Sequence, residues 1–158
     1  MKEIQVTGSE NPMLVDDDDF VRLSAFFWRL ASNGYAIRSL KNAKGTWTTE
    51  GAHRTSMGLS PGDGVCVDHR NGVRLDNRKN NLRLCTNREN QWNQREHKDG
   101  SGYKGVCFAK ASGKWQTSIK IGDKVKYLGQ FETPELAHEF YCLAADMIQG
   151  DFANHRSR

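Results

Sequence analysis

A short apolar segment that ends in an acid and a histidine is the feature that most constrains the fold. Residues 65–67 are typical of a buried strand, and Asp68 and His69 follow them directly. The Asn-Gly pair at 71–72 predicts a turn, and the alternation of residues 82–86 predicts a second strand. The sequence therefore predicts a strand, a polar loop and a second strand that returns beside the first.

A helix is expected directly after this strand pair. Thr86 or Asn87 can cap its first turn, and residues 88–94 continue it. The order of strand, loop, strand and helix predicts a compact unit. We expect this unit to bring Asp68, His69 and one face of the helix together.

The regions on either side of this unit have different patterns. Residues 1–51 contain short strand-like runs around a segment, 20–28, whose apolar residues are near helical spacing. Three further runs predict strands, at residues 103–108, 114–121 and 124–131. Thr133 and Pro134 then predict the start of a helix. The last region is expected to form a sheet covered on one face by a single helix, with its other face open to a partner.

Charge is unevenly distributed along the 158 residues, although the net charge is only +4. Residues 16–19 are four consecutive aspartates, whereas Arg and Lys dominate residues 70–95. Such a basic region favours a polyanionic partner, and a merely solvated basic face is the alternative. The acidic block can supply the start of a helix or bind calcium. Because no glycine-turn ligand pattern accompanies it, we favour the helix start.

The four cysteines lie far apart in the sequence, which argues against a zinc site and against a disulfide scaffold. We expect reduced thiols, and no zinc is expected. No apolar run is long enough to span a membrane, and the first residues lack the apolar core of a signal peptide. These features predict a cytoplasmic protein with no membrane partner.

Four polar side chains carry the chemistry that we expect of the central region. A carboxylate and an amide oxygen can hold one hard divalent cation, and the imidazole of His69 can take a proton from water. Asn81 precedes the second strand, from which its side-chain oxygen can hydrogen-bond His69 and fix its tautomer. Asn90 lies about one turn into the helix and can complete a metal site with Asp68, with Asn93 as a rival ligand. Together these groups suit the hydrolysis of a phosphodiester.

A more specific resemblance lies in four polar blocks: Asp68-His69-x-Asn71-Gly72, Leu75-Asp76-Asn77-Arg78, Asn80-Asn81-Leu82-Arg83 and Thr86-x-x-x-Asn90. Over about residues 53–95 the chain resembles the HNH homing endonucleases of phages, which have a ββα-metal nuclease core. The resemblance implies that Asp68 and Asn90 hold one divalent ion, magnesium or manganese. It also implies that His69 is the general base and that Asn81 orients it.

Other residues of this region are expected to support the chemistry. His53 and Arg54 resemble the family's upstream His-Arg pair, but the following Thr55-Ser56 departs from its apolar pattern. We therefore expect His53 to pack or to contact a phosphate rather than to act in catalysis. The arginines of the basic region are expected to position backbone phosphates: Arg70, Arg74, Arg78 and Arg83.

The C-terminal region carries a second resemblance, in Ser101-Gly102-Tyr103-Lys104-Gly105-Val106, Gly113-Lys114-Trp115, Tyr127-Leu128-Gly129-x-Phe131 and Pro134-Glu135-x-Ala137. Over about residues 101–155 it is similar to the APETALA-type domain of plant ethylene-response (ERF) transcription factors. The resemblance implies that one sheet face lies in the DNA major groove, where Lys104, Lys120 and Tyr127 touch DNA. Cys107 and Ala109 stand where the plant proteins have base-reading arginines, so the chain departs from that guanine-reading pattern.

These expectations combine into an α+β protein with a ββα-metal HNH core and a three-stranded antiparallel sheet packed on one helix. The expected parts are an N-terminal β-rich supporting region, the HNH core, a linker and a DNA-binding domain, at residues 1–51, 52–97, 98–102 and 103–155. The expected function is one-metal hydrolysis of double-stranded DNA by a phage-encoded homing-type or nicking endonuclease, as a monomer or weak dimer. The alternative is a sequence-specific DNA-binding or regulatory protein whose nuclease site is inactive.

Overall fold

The computed structural model describes residues 1–60, 62–92 and 101–155. The chain divides into two compact units, Met1–Thr86 and Asn87–Arg158. Both units contain helices and small antiparallel sheets, so the predicted mixture of α and β structure is confirmed. The rival ligand Asn93 and most of the predicted linker lie outside the described residues.

The first unit is built from short elements joined by polar turns. In chain order they are β1 (Lys2–Ile4), β2 (Met13–Val15), α1 (Asp17–Ser24), β3 (Arg29–Leu30), β4 (Ala36–Lys41), β5 (Trp47–Gly51), α2 (Ala52–Ser56), β6 (Cys66–His69) and β7 (Leu82–Cys85). Strands β1 and β2 form one antiparallel pair, and β6 and β7 form another. Strand β4 lies between β3 and β5 in a three-stranded sheet. The sequence did not predict β3 or α2.

The core of this unit lies under the N-terminal strands. Its buried apolar residues are Ile4, Val6, Met13, Val15, Leu23, Trp28, Ala36 and Ala52. Helix α1 ends at Ser24, so the predicted helical segment 20–28 is wrong in its last turn. The chain leaves the helix there, and the buried Trp28 indole donates a hydrogen bond from Nε1 to the Leu23 carbonyl at 2.9 Å. The chain therefore buries Trp28 in the core instead of adding a further turn to α1.

The N-terminal residues hold the polar loop that joins β6 to β7. Leu14 N donates to the Leu75 carbonyl, and Asn77 N donates to the Leu14 carbonyl, each at 2.8 Å. Lys79 N donates to Asp16 Oδ2 at 2.7 Å. Residues 1–86 form one compact unit in the structure, whereas the predicted four-part division of the chain stays a prediction. The N-terminal region thus fixes the loop that follows Asp68 and His69.

The second unit contains the predicted three strands and helix. Its elements are α3 (Asn87–Trp92), β8 (Val106–Ala109), β9 (Lys114–Ile121), β10 (Lys124–Phe131), α4 (Pro134–Gln149) and a 3₁₀ turn at Gly150–Phe152. The sheet is antiparallel with β9 in the centre, and α4 packs against it around Ile119, Tyr141 and Ala145. Thr133 caps α4 as predicted, because its Oγ1 accepts a hydrogen bond from Leu136 N at 3.3 Å.

A glycine allows the close approach of α4 to the sheet. Gly105 has a φ of +75°, a conformation that favours glycine, and a Cβ there would overlap the ring of Tyr141. In the described parts of the chain, no helix is both long and apolar enough to cross a bilayer.

Candidate nuclease site

The register of the β6–β7 hairpin decides which side chains share a face. Asp68 lies opposite Arg83, and His69 lies opposite Leu82. Because side chains alternate along a strand, Asp68 and Arg83 are on one face and His69 and Leu82 are on the other. The acid and the histidine therefore stand together at the end of β6 but point in different directions.

Arg54 fixes the start of β6. Its guanidinium donates hydrogen bonds to the Val65 carbonyl, to the Ser60 carbonyl and to the carboxylate of Asp63. Arg54 belongs to α2, so these hydrogen bonds connect the helix to the start of the strand that carries Asp68 and His69. The predicted His-Arg pair thus includes a residue with a structural role.

Asp68 forms a buried ion pair with Arg83. Arg83 Nε donates to Asp68 Oδ2 at 2.8 Å, and Nη2 approaches the same oxygen at 2.7 Å. The two residues are only 6% and 8% exposed. We expected Arg83 to position backbone phosphates, but in this structure its guanidinium is buried and pairs with Asp68.

His69 is buried and is held by Asn77. Its Nε2 lies 3.2 Å from Asn77 Oδ1, and His69 and Asn77 are 3% and 1% exposed. Asn77 Nδ2 points to the Leu75 carbonyl at 3.5 Å, which directs Oδ1 toward the imidazole. An amide oxygen can only accept, so His69 Nε2 is the donor and the lone pair lies on Nδ1. Asn77 thus fixes the tautomer of His69.

Asn81 does not make the contact that the sequence predicted. Its Oδ1 accepts from Asn71 N at 3.0 Å, and its Nδ2 donates to the Asp76 carbonyl at 2.8 Å. Asn81 lies opposite Arg70, whose backbone N donates to the Asn81 carbonyl at 2.8 Å. These two residues are next in the hairpin to the pair of His69 and Leu82. The alternation of side chains then turns Asn81 away from the imidazole. The expected contact with His69 was wrong, and Asn81 instead braces the loop.

His53 and Tyr35 surround His69 with aromatic rings. The centroid of the His53 ring lies 5.5 Å from that of His69 and 4.9 Å from that of Tyr35. Burial lowers the pKa of His53 to about 4, and repulsion from Arg54 and from a protonated His69 acts in the same direction. The predicted packing role of His53 agrees with these contacts.

Burial also keeps His69 in its neutral form. It lowers the pKa of His69 below the usual 6.5, although the Asn77 hydrogen bond and the charges of Asp68 and Asp76 oppose this shift. An imidazole in this environment is unprotonated near neutral pH. That is the form that can accept a proton.

The loop between the strands is held together by Asp76. Arg78 donates to both of its carboxylate oxygens, each at 2.7 Å, and Asn71 Nδ2 donates to Oδ2 at 2.8 Å. The bonds from Arg78 hold the pKa of the Asp76 carboxyl below its usual range. Arg78 is therefore used inside the loop. Arg74, which is exposed, donates to the Asn33 carbonyl at 2.8 Å.

The remaining predicted site residues belong to the second unit. Asn90 is half-buried in α3 of the second unit, whereas Asp68 and His69 belong to the first unit. Lys120 and Tyr127 are exposed. Tyr127 pairs with Ser118, and Ser118 and Lys120 flank Ile119, which packs against α4. Side chains alternate along a strand, so Lys120 and Tyr127 lie on the sheet face away from α4. Lys104 lies outside the strands, and its Nζ donates to the Trp92 carbonyl. The structure therefore places Lys120 and Tyr127 on one face but not Lys104.

The carboxylate of Asp68 is a ligand of the type that a hard divalent cation prefers. The side-chain amide oxygen of an asparagine such as Asn90 is another ligand of this type. Among the described residues, however, no group of three or more His, Cys, Asp or Glu side chains is arranged around a common point. The carboxylate also already binds the Arg83 guanidinium. A divalent cation that binds the Asp68 carboxylate must therefore compete with the Arg83 guanidinium for it.

The comparisons with known proteins support a nuclease. Residues 52–92 match a protein-family model described as HNH endonuclease. The matched stretch includes His53, Asp68, His69 and Asn90, and an HNH domain indicates a nuclease with a DNA substrate. Neither the curated proteins nor the solved structures gave a match. The resemblance of the second unit to the APETALA-type domain and the phage origin stay predictions.

Sequence reasoning missed three residues of this site: Asn77, Tyr35 and Arg83 in its buried role. Asn77 lies in one of the four polar blocks, so its type and position were visible. The strand register could have indicated Arg83, since it faces Asp68 once the hairpin is aligned. Tyr35 is far from His69 in sequence, and no local signal connects the two.

Proposed function

We propose that this protein is a DNA endonuclease that hydrolyses phosphodiester bonds with His69 as general base and one divalent cation. The observation that carries the proposal is the match of residues 52–92 to HNH endonucleases, which includes a buried, neutral histidine at the end of β6. The described residues hold one such site, so we expect a homing-type or nicking enzyme that nicks one strand as a monomer, or cuts both strands only as a weak dimer.

His69 accepts the proton of the attacking water at Nδ1. Asn77 holds the Nε2–H donor, so the lone pair of Nδ1 is oriented before substrate binds. Tyr35 and His53 limit rotation of the ring, because both pack within 6 Å of it. These contacts support His69 as the base and Asn77 as the residue that positions it, in place of Asn81.

Asp68 would hold the divalent cation, either magnesium or manganese, and Asn90 stays the second ligand that the sequence resemblance implies. When bound, such a cation stabilises the negative charge that develops on the phosphate and on the leaving 3′ oxygen. The products are then a 5′-phosphate and a 3′-hydroxyl. Asn81 contributes indirectly, since it braces the loop that carries Asn77.

The exposed cations of both units would hold the DNA. In the first unit Arg70 and Arg74 are exposed beside the β6–β7 loop. In the second unit Lys120 and Tyr127 share an exposed sheet face, and Lys104 would be a further phosphate contact. Phosphate contacts of this kind supply affinity without reading the sequence.

The test is cleavage of supercoiled plasmid with magnesium or manganese. Wild-type protein should convert the plasmid to nicked circles, and His69→Ala should lose cleavage but still bind DNA in a mobility shift. His155→Ala is the matched control, since it removes a half-exposed histidine of the second unit, and it should cleave like wild type. Cleavage that persists in His69→Ala would refute the assignment of the base.

A DNA-binding protein with an inactive nuclease site is the second candidate. The observation that favours it is the buried Asp68–Arg83 pair, in which a cation already neutralises the proposed metal ligand. In that case wild-type protein would shift DNA tightly but leave plasmid uncut with either metal. The same plasmid experiment therefore separates the two functions.

A further inference from the structure

The ion pair between Asp68 and Arg83 places a protein cation on the carboxylate that the proposed nuclease needs. Two nitrogens of Arg83 converge on Asp68 Oδ2, at 2.7 and 2.8 Å. The side chains are 7% and 8% exposed, so neither charge is well solvated. A buried charge that loses its partner is strongly destabilised, so each group depends on the other.

A divalent cation and the guanidinium compete for the same oxygen. Both are positive, and like charges repel strongly where water is excluded. A cation bound to Asp68 with Arg83 in place would bring a net charge of about +2 into a buried site. With Arg83 displaced or removed, that charge falls to about +1. Binding of the metal therefore includes the work of moving Arg83 away from Asp68.

We propose that Arg83 is a positioning residue that holds Asp68 in the metal-free protein and sets how tightly this site binds a divalent cation. The inference rests on the proposed function, because it takes Asp68 as the metal ligand. It accounts for the burial of an arginine that the sequence analysis assigned to phosphate contacts.

The test is Mn²⁺ binding to the full chain without DNA, measured by isothermal titration calorimetry and by the electron paramagnetic resonance signal of unbound Mn²⁺. Arg83→Gln should bind Mn²⁺ at least about tenfold more tightly than wild type, a difference of about 1.4 kcal/mol. Arg83→Lys should fall between the two, since lysine keeps the charge but lacks the forked donor geometry. Asp68→Asn should lose this binding.

Arg38→Gln is the matched control. Arg38 pairs with the buried Glu50 at 2.6 Å on β4 and β5, so its removal changes the net charge equally and breaks a similar pair. It should leave Mn²⁺ affinity unchanged. If Arg38→Gln tightens binding as much as Arg83→Gln, the effect is one of net charge and the inference is wrong.

The remaining outcomes separate the inference from the proposed function. Folded Arg83→Gln that binds Mn²⁺ like wild type, or more weakly, overturns the role of Arg83 while leaving Asp68 as a ligand. If Arg83→Gln does not fold, Arg83→Lys decides, and wild-type affinity in that variant overturns the inference. Asp68→Asn that binds Mn²⁺ normally overturns the metal site itself, and the inference with it.

Discussion

Burial of His53 should make the stability of the first unit depend on pH. The imidazole packs against Tyr35 and His69, and its pKa is lowered to about 4 by burial and by repulsion from Arg54 and from a protonated His69. In the unfolded chain an ordinary histidine titrates near ~6.5. Between these two values the unfolded chain binds a proton that the folded protein does not. The free energy of unfolding should therefore fall as pH decreases from about 6.5 to about 4.

The size of the effect follows from the two pKa values. The drop from 6.5 to about 4 corresponds to roughly 3 kcal/mol from His53 alone. Urea unfolding, followed by the amide NMR signals of residues 1–86 at pH values from 4.5 to 7.5, measures the total dependence. His53→Gln removes the titrating group, so its unfolding free energy should vary less steeply with pH. A pH-independent loss of stability in the variant does not affect this comparison.

Two measurements check the assignment to His53. Tyr35→Phe keeps both the histidine and the ring that contacts it, so this variant should retain the wild-type dependence on pH. An NMR titration of the imidazole Cε1 protons should show the His53 signal, identified by its loss in His53→Gln, unprotonated well below pH 6. Parallel curves for wild type and His53→Gln, or a His53 signal that titrates near pH 6.5, would refute the reasoning.

Two further predictions test the geometry around the hairpin. Asn77→Leu should shift the imidazole ¹⁵N resonances of His69 from those of a single Nε2–H tautomer toward those of a mixture of tautomers. Asn81→Leu should leave these resonances unchanged, since Asn81 does not contact the imidazole. Equal shifts in both variants would contradict the assignment of Asn77. Oxidised glutathione should link Cys66 to Cys85, because the register places them opposite each other and facing Cα atoms are ~4.5–5.5 Å apart, within disulfide reach. A non-reducing peptide map that joins either of them to another cysteine instead would show that the register is wrong.

The elements that depend on local pattern were predictable. The strands of the second unit followed from alternation and glycine turns, and Thr133 with Pro134 marked the start of α4 because capping involves residues three apart. The β6–β7 hairpin was also visible, from an apolar run, an Asn-Gly turn and a second alternating run. These features rest on interactions between near neighbours in the chain, which a single sequence displays.

Features that depend on distant contacts were harder to predict. Helix α1 stops at Ser24 because Trp28 turns into the core, and that core is made by strands that the helix pattern does not show. His53 and Tyr35 reach His69 from other elements of the fold, and only packing brings their rings together.

The sequence by itself determined that an acid and a histidine stand at the end of one strand of a hairpin and that several asparagines stand in the loop and beside the second strand. It could do so because residue type and spacing are local properties. Tertiary structure alone decided the partner of each. His69 contacts Asn77 rather than Asn81, and Arg83, which was expected to contact phosphates, pairs with Asp68. The physical reason is that partners across a hairpin are set by register and side-chain reach. A shift of one residue sends a side chain to the opposite face.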